Sequence, residues 1–200
     1  METLQPISQL AITYFLVTNP IGNSPTILAL VKDFDFKRQK QIMLREGFFA
    51  LIIALVFQFF GEYILKLLHV DVFSLTLCGG ILLFLVALGM IFPDNDPKKP
   101  HEFKQEPFFV PIATPLLSGP GLMTIIMLTA ASEQNSIKIT GAILLAWTGV
   151  LAVMIAAPYL QRILGRRGLV ALEQVMGLIL TLIAIEMILK GAGAFVKTLS

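Results

Sequence analysis

Cysteine and histidine are nearly missing from this chain. The one cysteine, Cys78, excludes an intramolecular disulfide. The two histidines are His69, at the end of an apolar segment, and His101, in a loop, so a Cys/His metal cluster is excluded. Charge is scarce as well. Asp, Glu, Lys and Arg make up 14% of 200 residues, where a soluble domain carries about 25%. The alternation of polar and apolar residues that marks an outer-membrane barrel is absent. The N-terminus has no basic n-region and no small-residue cleavage site, so the first apolar segment is expected to stay in the mature protein. Basic residues sit in loops beside apolar runs, so the net charge of +2 says nothing in favour of nucleic acid, and no nucleic-acid partner is expected.

What is abundant is apolar surface: 56% of residues are hydrophobic and the mean hydropathy is +0.82. This composition belongs to an integral membrane protein without a sizeable soluble domain. A span needs about 20 apolar residues, and six stretches qualify: Ile7–Val31, Gly47–Leu68, Val72–Phe92, Phe108–Ala131, Ile139–Leu164 and Leu169–Leu189. The fold expected is all-α, with six transmembrane helices, the first and fourth each either one broken span or a re-entrant pair of half-helices. The polar connection Pro93–Pro107 divides the chain into residues 1–92, a linker 93–107 and residues 108–200.

The first and fourth stretches are interrupted in the same way. One contains Asn19-Pro20-Ile21-Gly22-Asn23-Ser24-Pro25 and the other Pro115-Leu116-Leu117-Ser118-Gly119-Pro120-Gly121, each with two prolines five residues apart. Proline removes a main-chain donor and clashes with the preceding turn, so Pro20, Pro25, Pro115 and Pro120 are expected to break helices 1 and 4. Inside a bilayer the freed groups must be satisfied by protein or by a water-filled cavity. Matched broken segments in two halves of a chain point to a transport site. The bland alternative is that the prolines and glycines only kink packed spans.

The halves also match elsewhere. Pro20 and Pro25 fall on Pro115 and Pro120 at an offset of 95, and Tyr63–Leu68 on Tyr159–Leu164 at 96. Gly80–Leu85 falls on Gly177–Leu182 at 97. Three spans per copy turn the second copy upside down, which gives inverted repeats. Eleven of the 15 basic residues lie after the first, third and fifth stretches. The positive-inside rule then places those loops in the cytoplasm and both termini outside.

Candidate substrate-binding residues surround the breaks: Thr18, Asn19, Gly22, Asn23 and Ser24 at the first, Thr114, Ser118, Gly119 and Gly121 at the second. Their amides and hydroxyls donate and accept. Half-helix N-termini favour a carboxylate and opposed carbonyl ends an ammonium group, so a small zwitterion suits the pair. Intramembrane carboxylates are few. Glu46, beside Arg45, is either a helix-start charge or a gate residue, and Glu186 is either a coupling group or an i,i+4 partner of Lys190. No metal site and no cofactor are expected. If transport is coupled to an ion, Na+ held by carbonyls and hydroxyls is easier to build from these residues than an H+ path. Gly79, Gly80, Gly141, Gly149 and Gly177 read as helix-packing points, and Trp147 as a packing residue or a substrate clamp.

At these positions the chain resembles the MarC family of small bacterial and archaeal membrane proteins. The resemblance rests on Asn19-Pro20-Ile21-Gly22-Asn23, Arg45-Glu46, Gly79-Gly80-Ile81, Pro111 with Pro115–Gly121, and Met176-Gly177-Leu178. It implies a six-span inner-membrane protein similar to the LysE-type exporter superfamily. Some archaeal members are described as transporters of glycine and alanine. The reading is therefore a transporter of small neutral amino acids, and not an enzyme. The alternatives are an exporter of another small polar metabolite and a non-transporting membrane subunit.

Overall fold

The computed structural model describes residues 6–92, 107–133 and 135–199, and among them the fold is all-helical. Helices α1, Ile7–Thr18, and α2, Pro20–Val31, form the first broken segment. Asp35 caps α3, Phe36–Leu68, by accepting from the Arg38 N–H, and His69 ends it in the left-handed conformation. Helix α4 covers Val72–Ile91. The second broken segment is a π-helical turn, Ile112–Leu117, followed by α5, Pro120–Ser132. Helix α6, Ser136–Leu199, is divided by Gly165, whose φ of 65° and ψ of 178° suit glycine alone.

Among the described residues, four helical stretches are long and apolar enough to cross a membrane: Phe36–Gly61, Val72–Ile91, Ser136–Leu160 and Arg167–Thr198. The first and fourth stretches are broken, as expected, into shorter helices, of which α5 is a shorter apolar one. Helices α1 and α2 do not pack side by side; both lie against α6. The expected start of the second span at Gly47 is corrected, because α3 begins at Phe36 and carries its charged residues into the helix. The last helix likewise runs past Leu189 to Leu199.

The described ends of the three connections meet at one end of the molecule. Lys40 donates to the Tyr159 hydroxyl at 3.0 Å, Arg45 donates to the Pro107 carbonyl, and Gln174 donates to the Ile91 carbonyl at 3.2 Å. The far end is held by Gln58, which donates to the Ser136 carbonyl at 3.0 Å and the Thr140 hydroxyl at 2.8 Å. There Lys138 pairs with Glu133, and that hydrogen bond holds the Glu133 carboxyl below the usual carboxylate range.

Helix α4 packs antiparallel along the second arm of α6, with main chains in contact through glycine. A β-carbon at Gly80 would stand 3.0 Å from the Ala184 carbonyl oxygen, and one at Gly177 would stand 3.0 Å from that of Ala87. The two contacts are reciprocal: Gly80 and Ala87 shifted by 97 residues are Gly177 and Ala184. Trp147 is a packing residue, 1% exposed, its indole N–H on the Gly47 carbonyl at 2.7 Å. Gly141 is not a packing point, since a β-carbon there meets nothing within 4 Å.

Candidate functional site

The first break is one residue long. Asn19 has φ 50° and ψ 52°, a left-handed conformation that asparagine tolerates better than most residues. Its Oδ1 accepts the Gly22 N–H at 3.1 Å and so caps α2, while its amide nitrogen reaches the Met90 sulfur at 3.2 Å. The chain is helical again from Pro20, so the expected non-helical stretch Asn19–Ser24 contracts to Asn19. Pro20 opens α2, where its missing N–H costs little. Pro25 is not a break, because it lies inside α2 and the helix continues past it.

The second break is longer. Thr114 is extended, at φ −140° and ψ 134°, inside the π-helical turn. Ser118 and Gly119 then leave the helix, and Pro120 opens α5. Pro20 and Pro120 thus occupy the same place, the first residue of the helix after a break. The offset of 95 had paired Pro20 with Pro115, which lies inside the π-helical turn. Gly119 cannot carry a side chain, since a β-carbon would stand 2.6 Å from the Pro115 carbonyl oxygen.

Asn23 joins the two breaks. Its Nδ2 donates to the Thr18 carbonyl at 3.1 Å and to the Leu116 carbonyl at 2.8 Å. Both carbonyls lose a helical donor for identifiable reasons. The N–H of Gly22, four residues after Thr18, is taken by the Asn19 cap. The residue four after Leu116 is Pro120, which has no N–H. One buried amide therefore replaces a missing donor in each broken segment. With both amide hydrogens used, the group left to Asn23 is its Oδ1.

A cavity of about 190 Å3 lies here, lined by Asn19 and Asn23, by Pro115, Leu116, Gly119, Pro120, Gly121 and Leu122, and by the apolar wall Val17, Leu83, Val86 and Leu180. Helix α5 starts at this cavity without a side-chain cap. Its first main-chain bond runs from the Met123 N–H to the Gly119 carbonyl. Among the described residues no acceptor takes the N–H groups of Gly121 or Leu122.

Four of the nine expected binding residues line the cavity: Asn19, Asn23, Gly119 and Gly121. Thr18, Gly22, Ser24, Thr114 and Ser118 do not. Ser24 donates back to the Pro20 carbonyl at 2.7 Å, and Ser118 to the Ala50 carbonyl of α3 at 2.7 Å. Gly22 fits closely against the Asn19 side chain and Met90. Thr18 is 1% exposed and its hydroxyl has no partner among the described residues. The apolar wall was missed, although a signal existed: Leu83 and Leu180 are equivalent at the offset of 97. Glu186 is exposed and pairs with Lys190 at 3.1 Å, which is the local reading. Glu46 lies eleven residues into α3 and is fully buried, so it is not a helix-start charge.

A family profile described as MarC family integral membrane protein matches residues 4–196. The UPF0056 inner membrane protein YhgN of Escherichia coli (strain K12) is 37% identical over 198 residues, covering 97% of this chain and 100% of that one. A UPF0056 membrane protein of Buchnera aphidicola subsp. Schizaphis graminum is 34% identical over 195 residues, covering 97% and 100%. One of Chlamydia muridarum is 33% identical over 193 residues, covering 94% and 93%. No solved structure matches. The apolar helices, the two broken segments and these matches along nearly the whole length make the chain a member of the MarC family of integral membrane proteins, with relatives named for the inner membrane.

Proposed function

We propose that this protein is a transporter of small neutral amino acids, not an enzyme, and that it holds its substrate between the two breaks. The observation that carries the reading is the cavity where both broken segments meet, with Asn19 and Asn23 on one side and the open N-terminus of α5 on the other. The Gly121 and Leu122 N–H groups and the positive end of the helix suit a carboxylate. The Asn23 Oδ1 suits an ammonium group. The apolar wall suits a small side chain, and the volume is below the roughly 300–1,000 Å3 of pockets for drug-sized ligands. These polar groups are fit to hold a zwitterion rather than to attack a carbonyl.

In this reading, residues 1–92 and 108–200 are inverted three-helix repeats joined by the linker 93–107, each broken segment counting as one of six transmembrane helices. The reciprocal Gly80–Ala184 and Gly177–Ala87 contacts support it, because a two-fold axis generates such pairs. The convergence of the basic connections supports cytoplasmic loops and external termini.

The test is counterflow of glycine and L-alanine in liposomes carrying purified protein, after a thermal-shift screen of neutral amino acids. Exchange is expected with wild type. Gly121→Val should abolish it while leaving folded protein, since a β-carbon there meets the Leu83 side chain, at 2.8 Å, and not main chain. A midpoint raised by another polar metabolite would favour an exporter of that compound. Folded protein that exchanges none of them would favour a non-transporting subunit.

A further inference from the structure

Glu46 is the one carboxylate among the described residues that is 0% exposed. Its Oε1 meets Arg45, with Nε at 3.0 Å and the terminal nitrogen at 2.9 Å. Its Oε2 is buried and has no partner. Burying an ionised carboxylate with one oxygen unsatisfied is costly, and such groups persist in membrane proteins where they serve function. Glu46 also sits where a change of charge has mechanical consequences. Arg45 donates to the Pro107 carbonyl at the start of the second half and makes further contacts. One turn along the same face of α3, the Ala50 carbonyl holds Ser118 of the second break.

We propose that Glu46 is a proton-binding site that couples to the second broken segment. The bound proton forms an O–H on the carboxylate, and release returns it to water as the ionised group re-forms. Protonation removes the charge that holds Arg45, and so loosens the tie between α3 and the Pro107 end of the second half. A sodium ion would need a shell of oxygens, whereas a proton needs one lone pair, and Oε2 supplies one. The charged neighbour among the described residues is Arg45, on the same helix. The groups packed against residues 45–50 from other elements include Trp147 and Leu151 of α6, Ser118, and Phe108 and Phe109, none of which is an acid or base. Arg45 connects the site to the surface, its side chain being 29% exposed.

Proton binding can be read without transport. Trp147 is the only tryptophan, and it donates to the carbonyl of Gly47, the residue after Glu46. Its emission in detergent-purified protein should change reversibly and sigmoidally with pH. Glu46→Gln should abolish that change, and Glu46→Asp should keep it with a moved midpoint. A flat wild-type trace overturns the site. So does a trace that persists unchanged in Glu46→Gln. Should the Gln variant not fold, an Asp variant whose midpoint equals the wild type's overturns it as well. The coupling step rests on the transporter reading. In liposomes, glycine uptake should respond to an imposed pH gradient in wild type and lose that response in Glu46→Gln, and an unaltered response in the variant overturns the coupling. A fluorescence titration without glycine flux would count against the substrate and leave the proton site standing.

Discussion

Asn23 shows how one side chain can be structural and functional at once. Its two amide hydrogens serve the Thr18 and Leu116 carbonyls, and its oxygen remains for the cavity. Asn23→Ala would leave both carbonyls without a donor, at about 1–3 kcal/mol each. The expected outcome is a lower thermal midpoint as well as lost flux. Asn23→Asp keeps the shape but not the donors, and should be at least as harmful; wild-type stability in that variant would exclude the bridging role. Asn19 differs, since what it needs is its backbone conformation. Asn19→Gly, which suits the left-handed backbone, should cost only roughly a few tenths of a kcal/mol for the lost cap. Asn19→Ala should lose the cap, at about 0.5–2 kcal/mol, and add about 1–2 kcal/mol for left-handed backbone. Unfolding midpoints in detergent would rank the two. At this scale four of the residues expected from the sequence, Asn19, Asn23, Gly119 and Gly121, line the cavity, because breaks inside apolar segments must be lined by something polar, whereas Gly22 packs away from it. It overcounted the hydroxyls. Serine lies within reach of a carbonyl one turn back or on the next helix, and Ser24 and Ser118 bond there.

At the scale of elements, the seam between α4 and the second arm of α6 depends on glycine for close approach, not for conformational freedom. Gly80→Val and Gly177→Val should each cost about 1–3 kcal/mol by overpacking, and by similar amounts, since both meet a carbonyl at 3.0 Å. Gly141→Ala should be neutral or slightly stabilising, as nothing lies within 4 Å of the added carbon. Thermal unfolding of the three variants decides this, and a harmless Gly177→Val would remove the seam. The broken segments show the limit of proline as a signal. Pro20 and Pro120 end up opening helices, Pro115 lies in a π-helical turn, and Pro25 is absorbed by α2. Proline marks where a main-chain donor is missing, and the surrounding packing decides whether the chain turns there.

For the whole molecule, the orientation proposed from basic residues makes a direct prediction. A reporter fused after Leu199 should read periplasmic, and a cysteine placed at Lys37 in a Cys78→Ser background should be labelled only from the cytoplasmic side. Labelling at position 37 from outside would invert the orientation. Composition and periodicity by themselves determined that the chain is helical and membrane-embedded, where its long spans lie, and that two segments are interrupted. These follow from local rules: apolar runs must be buried in lipid, main-chain groups there must bond within a helix, and proline cannot. Tertiary structure decided the rest. Asn23 and Leu116, 93 residues apart in sequence, meet only because the two breaks fold against each other. The charge at Glu46 reads as a helix start until α3 is seen to begin ten residues earlier and to bury it. A missing donor is visible in a sequence, but which distant group supplies the replacement is set by packing alone.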